Sequence, residues 1–198
     1  MKTYTILLTL ALSGYMFITQ SQKMTPIKVT GEKILSNVFV PAKVDYDAFE
    51  KLTAEVKEHR KTRLVELDKF LSMSKEEKTI ILDTRSDIMY ESKHVKGAIH
   101  LNFADFTQNN LANLIPDINT RILIYCNNNF DEDEQNFATK ISIPRPMEEK
   151  KPITLALNIP TYINLYGYGY QNVYELSELV SVNDPKIEFE GTSVWKKQ

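Results

Sequence analysis

The chain has a single cysteine, Cys126, which closes the run RILIYC at 121–126 and is followed by NNNFDEDE. A thiol in that position fits two chemistries. Presented at a strand end, it is a nucleophile held rigidly with its sulfur toward substrate. Packed inward, it is a small hydrophobe that closes the strand. Spacing alone does not choose between them. Asp83 and Arg85 stand in the same relation to a second apolar run, TIIL at 79–82, where they supply a substrate contact or a structural ion pair. His59 and His100 share no metal-ligand spacing with each other or with Cys126, so neither a metal nor another cofactor is expected.

These residues must be positioned by regular elements, and the hydrophobic pattern supplies them. Phe49, Leu52 and Val56 recur at helical spacing and predict a helix from Tyr46 to about Lys61. Short strands are expected at 63–65, 79–82, 98–103, 121–126 and 172–176, a short helix at 67–71, and a short helix or turn at 111–115. The stretch 153–166 has helical breadth and contains Pro160, which kinks the helix or marks its first turn; Gly167 and Gly169 end it. The tyrosines at 162, 166, 168 and 170 fall partly at helical spacing and read as core. Short buried strands alternating with helices indicate an α/β fold, a parallel sheet with helices on both faces. In such sheets ligands bind beyond the carboxyl ends of the strands, where Cys126, Asp83 and Arg85 all lie.

Composition sets the outer bounds. The chain has 198 residues, 42% hydrophobic and 25% charged, which suits one domain plus extensions. A formal net charge of −2 gives no polycationic surface, so no nucleic-acid partner is expected. Residues 1–22 have Lys2, then an apolar stretch from Tyr4 to Ile18, then polar residues, the pattern of a signal peptide cleaved near 20–23, with an uncleaved N-terminal anchor as the alternative. Export to a periplasmic or secreted location is expected, with no stable membrane insertion after processing. Residues 23–45 read as an irregular N-terminal arm, and 181–198 as a polar C-terminal tail.

The succession ILDTRSDIMYESKHVKGAIHLNF, RILIYC and GYQNVYEL resembles the rhodanese-like (sulfurtransferase) domain family over roughly residues 60–178. The matching features are Asp83-x-Arg85 at a strand end, His94-x-x-Gly97-Ala98, a strand delivering Cys126, and Gly169-Tyr170 leading to Asn172-Val173-Tyr174. The resemblance implies a three-layer fold with a small central parallel sheet, spanning 46–180. It implies sulfur transfer in which the Cys126 thiolate takes a sulfane sulfur from a small donor such as thiosulfate and passes the persulfide sulfur to a thiol or cyanide-like acceptor. Cys126 would be the nucleophile and Asn127, Asn128, Asn129, Phe130 and Asp131 the backbone cradle that binds substrate. Asp83, Arg85 and His94 would be structural neighbours of the site.

The loop departs from the family pattern, because asparagines and the acids at 131–134 stand where glycine and arginine are usual. A carboxylate about 6 Å from the thiolate would cost it roughly 0.7 to 3 kcal/mol, depending on the dielectric, and would repel an anionic donor. The acids are harmless if they point away, as in the first turn of a helix from Asp131 to Lys140. The length and prolines of 131–151 favour instead a mobile or semi-ordered flap inserted over the site. A phosphatase on this fold is a poor reading, since Glu132 occupies the position where that chemistry needs arginine. The second reading is a catalytically inactive rhodanese-like module that binds a protein partner, with 131–151 as the candidate contact.

Overall fold

The structure, a computed structural model, describes residues 42–142 and 153–194. The expected signal peptide and most of the N-terminal arm lie outside the described residues, as do 143–152 of the insertion and Trp195. The described residues from Val44 onward form one folded unit.

Helix α1 (Tyr46–Arg60) starts where the Asp45 carboxylate accepts the Ala48 N–H, and it presents Val56 to the core. Phe49, expected on the same buried face, is 49% exposed, so that face is narrower than its spacing suggests. Strand β1 (Leu64–Val65) and helix α2 (Leu67–Met73) follow, then β2 (Thr79–Asp83), α3 (Asp87–Ser92), β3 (His94–Val95) and β4 (Ala98–His100). The strand expected over 98–103 stops at His100. Asn102 accepts the Ala104 N–H through its side chain and turns the chain into a 3-10 helix at Phe103–Asp105. Helix α4 (Gln108–Leu114), capped by Thr107, leads to β5 (Arg121–Ile124).

After β5 come β6 (Phe130–Asp131), β7 (Ile141–Ser142) and β8 (Ile153–Thr154). Helix α5 (Asn158–Gly167) begins later than the apolar stretch, because Ile153–Thr154 pairs antiparallel with Ile141–Ser142 instead of joining the helix. Pro160 consequently sits in the first turn, where its missing N–H costs nothing. Gly169, at φ +97°, takes the left-handed turn that leads toward β9 (Val173–Leu176). Strands β10 (Val180–Ser181) and β11 (Phe189–Glu190) complete the described chain.

The main sheet has order β1-β9-β5-β2-β4, and all its pairings are parallel. Side chains alternate across it as a pleated strand requires. Ile122 and Ile124 of β5 face a cluster with Val56 of α1, Leu111 of α4, and Tyr162 and Leu165 of α5. Leu123 and Tyr125 face the opposite cluster, with Phe70 and Met73 of α2. The result is three layers around a parallel sheet, each buried Leu or Ile stabilising by roughly 1.5–3 kcal/mol. Tyr162 and Tyr170 are core residues, and Tyr166 and Tyr168 pack against them.

The segment expected as a polar tail carries buried Ile187 and packs on the body. Strand β10 pairs parallel with β6, and β11 pairs antiparallel with β3, so residues 180–190 strap the two elements next to the end of β5.

Candidate functional site at the carboxyl end of β5

Strand β5 lies between β9 and β2, which fixes its carboxyl end on both sides and delivers Cys126 there. Residues Asn127–Asn129 then form one 3-10 turn rather than an open loop, closed by the Asn129 N–H on the Cys126 carbonyl at 3.0 Å. The thiol is fully buried. Its Sγ accepts the backbone N–H of Leu157 at 3.2 Å, immediately before the first residue of α5. Burial pushes the Cys126 thiol above its ordinary value; the Leu157 and Asn127 N–H groups and the Lys140 charge act in the opposite direction, and Asp83 reinforces the rise.

The three asparagines mostly hold protein rather than face a ligand. Asn129 is the hub: its Oδ1 accepts from the Cys126 N–H and from Asn158 Nδ2, both at 2.9 Å, while its Nδ2 donates to the Leu176 carbonyl at 2.7 Å. It therefore ties the cysteine to the end of β9 and the start of α5. Asn128 reaches the β7–β8 pair. Its Oδ1 accepts the Lys140 N–H at 2.9 Å, and its Nδ2 donates to Thr154 Oγ1 at 2.9 Å. Asn127 is buried beside Arg85, whose Nη1 lies 3.5 Å from Asn127 Oδ1. Phe130 turns away into an aromatic cluster with Tyr125, Phe137 and Phe189. Asp131 is exposed on β6 and accepts the Glu132 N–H. Neither Phe130 nor Asp131 lies with the sulfur-facing groups.

Asp83 and Arg85 form a buried, bidentate pair, with Asp83 also accepting the Tyr125 hydroxyl. Arg85 further donates to the Asn136 carbonyl at 3.0 Å and the Lys93 carbonyl at 2.6 Å. Burial pulls the Arg85 guanidinium down, but Asp83 outweighs it and the net direction is up. These bonds join the ends of β2 and β5 to the segment after the cysteine. His94 donates from Nδ1 to the Tyr90 carbonyl at 2.7 Å and stacks on the Tyr90 ring. Its place is under α3, at the pairing of β3 with β11.

The acids after the cysteine are each engaged elsewhere. Glu132 accepts from Ser181 and Asn183, which hold its carboxyl below the usual range. Asp133 pairs with Lys93 at 2.8 Å and accepts from Asn136. Glu134 accepts the Thr139 N–H and hydroxyl. No helix forms over 131–140, and this part is no flap either: Phe137 is buried in the core and Asn136 lies against Arg85. The anchoring comes from aromatic packing that the acidic composition hides.

The group that sequence reasoning missed is Leu157. Its signal was Pro160, whose preference for a first turn puts the helix start near Leu157 and aims free N–H groups at what precedes it. A cavity of about 270 Å³ is lined by Asn128, Asn129, Ala156 and Asn158, chain neighbours of Cys126 and Leu157, and by the Arg60–Glu175 ion pair; Cys126 and Leu157 themselves do not line it. Backbone donors thus favour a sulfur anion here without outweighing burial, and Asn129, which accepts the Cys126 N–H, also lines the polar cavity. Among the described residues no helix is long and apolar enough to cross a membrane.

The family model described as rhodanese-like domain matches residues 66–178, more than half of the chain. No curated protein matches. Among solved structures, a rhodanese with anions from E. coli is 18% identical, with a TM-score of 0.35, over 58% of this chain and 99% of its own. A Rhodanese_3 like domain from Anabaena sp. is also 18% identical, with a TM-score of 0.35, over 61% of this chain and 99% of its own. A Bacillus halodurans protein is 15% identical, with a TM-score of 0.41, over 75% of this chain and 93% of its own.

Proposed function

The chain belongs to the rhodanese-like domain family, and from that premise we propose that it is a sulfurtransferase carrying a persulfide on Cys126. The observation that carries the reading is the Leu157 N–H on Sγ at the end of the central strand. A donor N–H at a helix start favours the thiolate and the persulfide over the thiol. The Cys126 thiolate attacks the sulfane sulfur of a donor such as thiosulfate. A bond forms between Sγ and that sulfur, the donor's own S–S bond breaks, and sulfite leaves with the electron pair. A thiophilic acceptor such as cyanide then attacks the outer sulfur, forms thiocyanate and returns the thiolate.

Because the resting thiol is fully buried, donor access requires the Leu157 N–H to move off the sulfur. The second reading, a catalytically inactive module for a protein partner, is favoured by that same burial and by the raised thiol. We also propose export, which rests on the composition of residues 1–22 alone and is checked by the N-terminal sequence of the mature protein.

Incubation with thiosulfate and with polysulfide, followed by intact mass, separates the two functional readings. The sulfurtransferase gains about 32 Da (one sulfur) on Cys126 and yields thiocyanate with cyanide, and Cys126→Ser does neither. No added sulfur from any donor, with no thiocyanate, eliminates sulfur transfer and leaves the binding module.

A further inference from the structure

At the end of the sheet opposite Cys126, one arginine has no acid to answer it. Of the four arginines among the described residues, Arg60, Arg85 and Arg121 pair with Glu175, Asp83 and Glu76, whereas Arg63 pairs with no carboxylate. The Arg63 guanidinium lies over the Tyr174 ring, 4.7 Å from its centroid, and Nη1 donates to Asn172 Oδ1 at 3.3 Å. Asn172 in turn donates from Nδ2 to the Asn119 carbonyl at 3.1 Å. A π-face and a neutral amide thus hold the guanidinium in place, and its remaining donors keep the fork geometry that suits an oxyanion.

Arg63 lines a cavity of about 350 Å³ with His59, Ile118, Asn119, Gln171 and Asn172, and no carboxylate lines it. Asn119 and Asn172 stand just before β5 and β9, so the cavity lies at the amino ends of the strands whose other ends carry the sulfur site. Nearby acids are engaged elsewhere. Asp117 accepts the backbone and side-chain N–H groups of Asn119 at 2.9 and 3.2 Å and lies 3.9 Å from Lys78, and Glu58 pairs with Lys61.

His59 adds an acceptor of defined identity. Tyr162 donates its hydroxyl to the Val173 carbonyl at 3.1 Å, so the 2.9 Å bond from that hydroxyl to His59 Nδ1 needs the proton on Nδ1. Nε2 then carries the lone pair, and among the described residues it has no partner. Burial, and after it the Arg63 charge, lower the His59 pKa, so the ring is neutral near neutral pH. The cavity therefore offers one cation and one ring acceptor. An oxyanion that carries a hydroxyl satisfies both; one without a proton satisfies only the first.

We propose that this cavity binds a phosphate-class oxyanion, with its charge on the Arg63 guanidinium and its P–OH donated to His59 Nε2. Asn119 and Gln171 form the rim. The site is separate from Cys126 and stands whether or not the chain transfers sulfur.

Amide NMR of the protein, followed at Asn119, Gln171 and Asn172 at neutral pH and constant ionic strength, tests this with inorganic phosphate, sulfate and chloride. Phosphate is expected to shift these amides saturably and to bind roughly tenfold more tightly than sulfate, as one charge-assisted hydrogen bond dictates. Chloride is expected to leave them in place. Arg63→Gln is expected to weaken phosphate about tenfold or more. His59→Asn, which keeps a donor for Tyr162 and removes Nε2, is expected to bring phosphate down to the level of sulfate. Glycerol phosphate distinguishes the sources. Tighter binding than inorganic phosphate supports a phosphomonoester, and equal or weaker binding supports the free ion. The absence of a saturable shift with phosphate, or an equal response to sulfate, overturns the proposal on the native protein alone. Phosphate binding unchanged in Arg63→Gln, or a preference over sulfate unchanged in His59→Asn, overturns it as well.

Discussion

Cys126 sits between two opposing effects, and burial currently wins. Its folded-state pKa lies above the ordinary value, so the folded protein keeps the thiol proton to higher pH than the unfolded chain does. The sign follows. Well below about pH 8.5 both states are protonated and the thiol adds no pH dependence to stability. Above it the unfolded chain loses the proton first, and stability falls as pH rises toward the folded value, by at most ~1.4 kcal/mol per pH unit. Urea unfolding of the native protein and of Cys126→Ala between pH 7 and 10 isolates this effect, because the other titrating groups cancel in the difference. The stability gap between them is expected to shrink only above about pH 8.5; a gap independent of pH means the thiol is not held protonated. Asp83 and Arg85 illustrate the other side of burial. Fully desolvated charges persist there because every Asp83 oxygen is bonded and Arg85 has carbonyl partners as well.

At the scale of elements, the site is assembled from two ends of a long insertion. The 3-10 turn after β5 supplies Asn127, the start of α5 supplies Leu157, and the β7–β8 pair between them is pinned by the Asn128 side chain. Asn128→Ala is therefore expected to loosen the Thr154–Leu157 segment and raise the rate of Cys126 alkylation severalfold, at a cost of about 1 kcal/mol in stability. Timed alkylation checks it, and an unchanged rate means the segment is held by something other than Asn128. Much at this scale was legible in the sequence. TIIL, RILI and VYEL are β-branched or aliphatic runs too short for helices, and they are β2, β5 and β9. What was not legible depends on distant partners. Ile153–Thr154 is locally indistinguishable from the helix that follows, and only pairing with Ile141–Ser142 makes it a strand. The acids at 131–134 looked hostile to a thiolate because their partners Lys93, Ser181 and Asn183 come from far along the chain.

At the scale of the whole molecule, the sheet order puts the latest main strand against the middle of the sheet. Strand β5 has β2, formed earlier in the chain, on one side and β9, which follows the insertion and α5, on the other. The Leu157 N–H that covers the sulfur belongs to that late half, 31 residues beyond the cysteine. During folding, the lone thiol therefore stays reachable until α5 and β9 have docked, since burial of the sulfur is a long-range event with its own loop-closure cost. Cys126 is in this sense a clock. Pulse labelling of the refolding chain is expected to show the thiol becoming protected in the last kinetic phase, with the disappearance of exposed apolar surface. Protection in an early phase would mean that the first half of the sheet buries the sulfur unaided. In an oxidising compartment the unpaired sulfur would then be vulnerable chiefly while the protein is being made, and the finished fold would act as its cap.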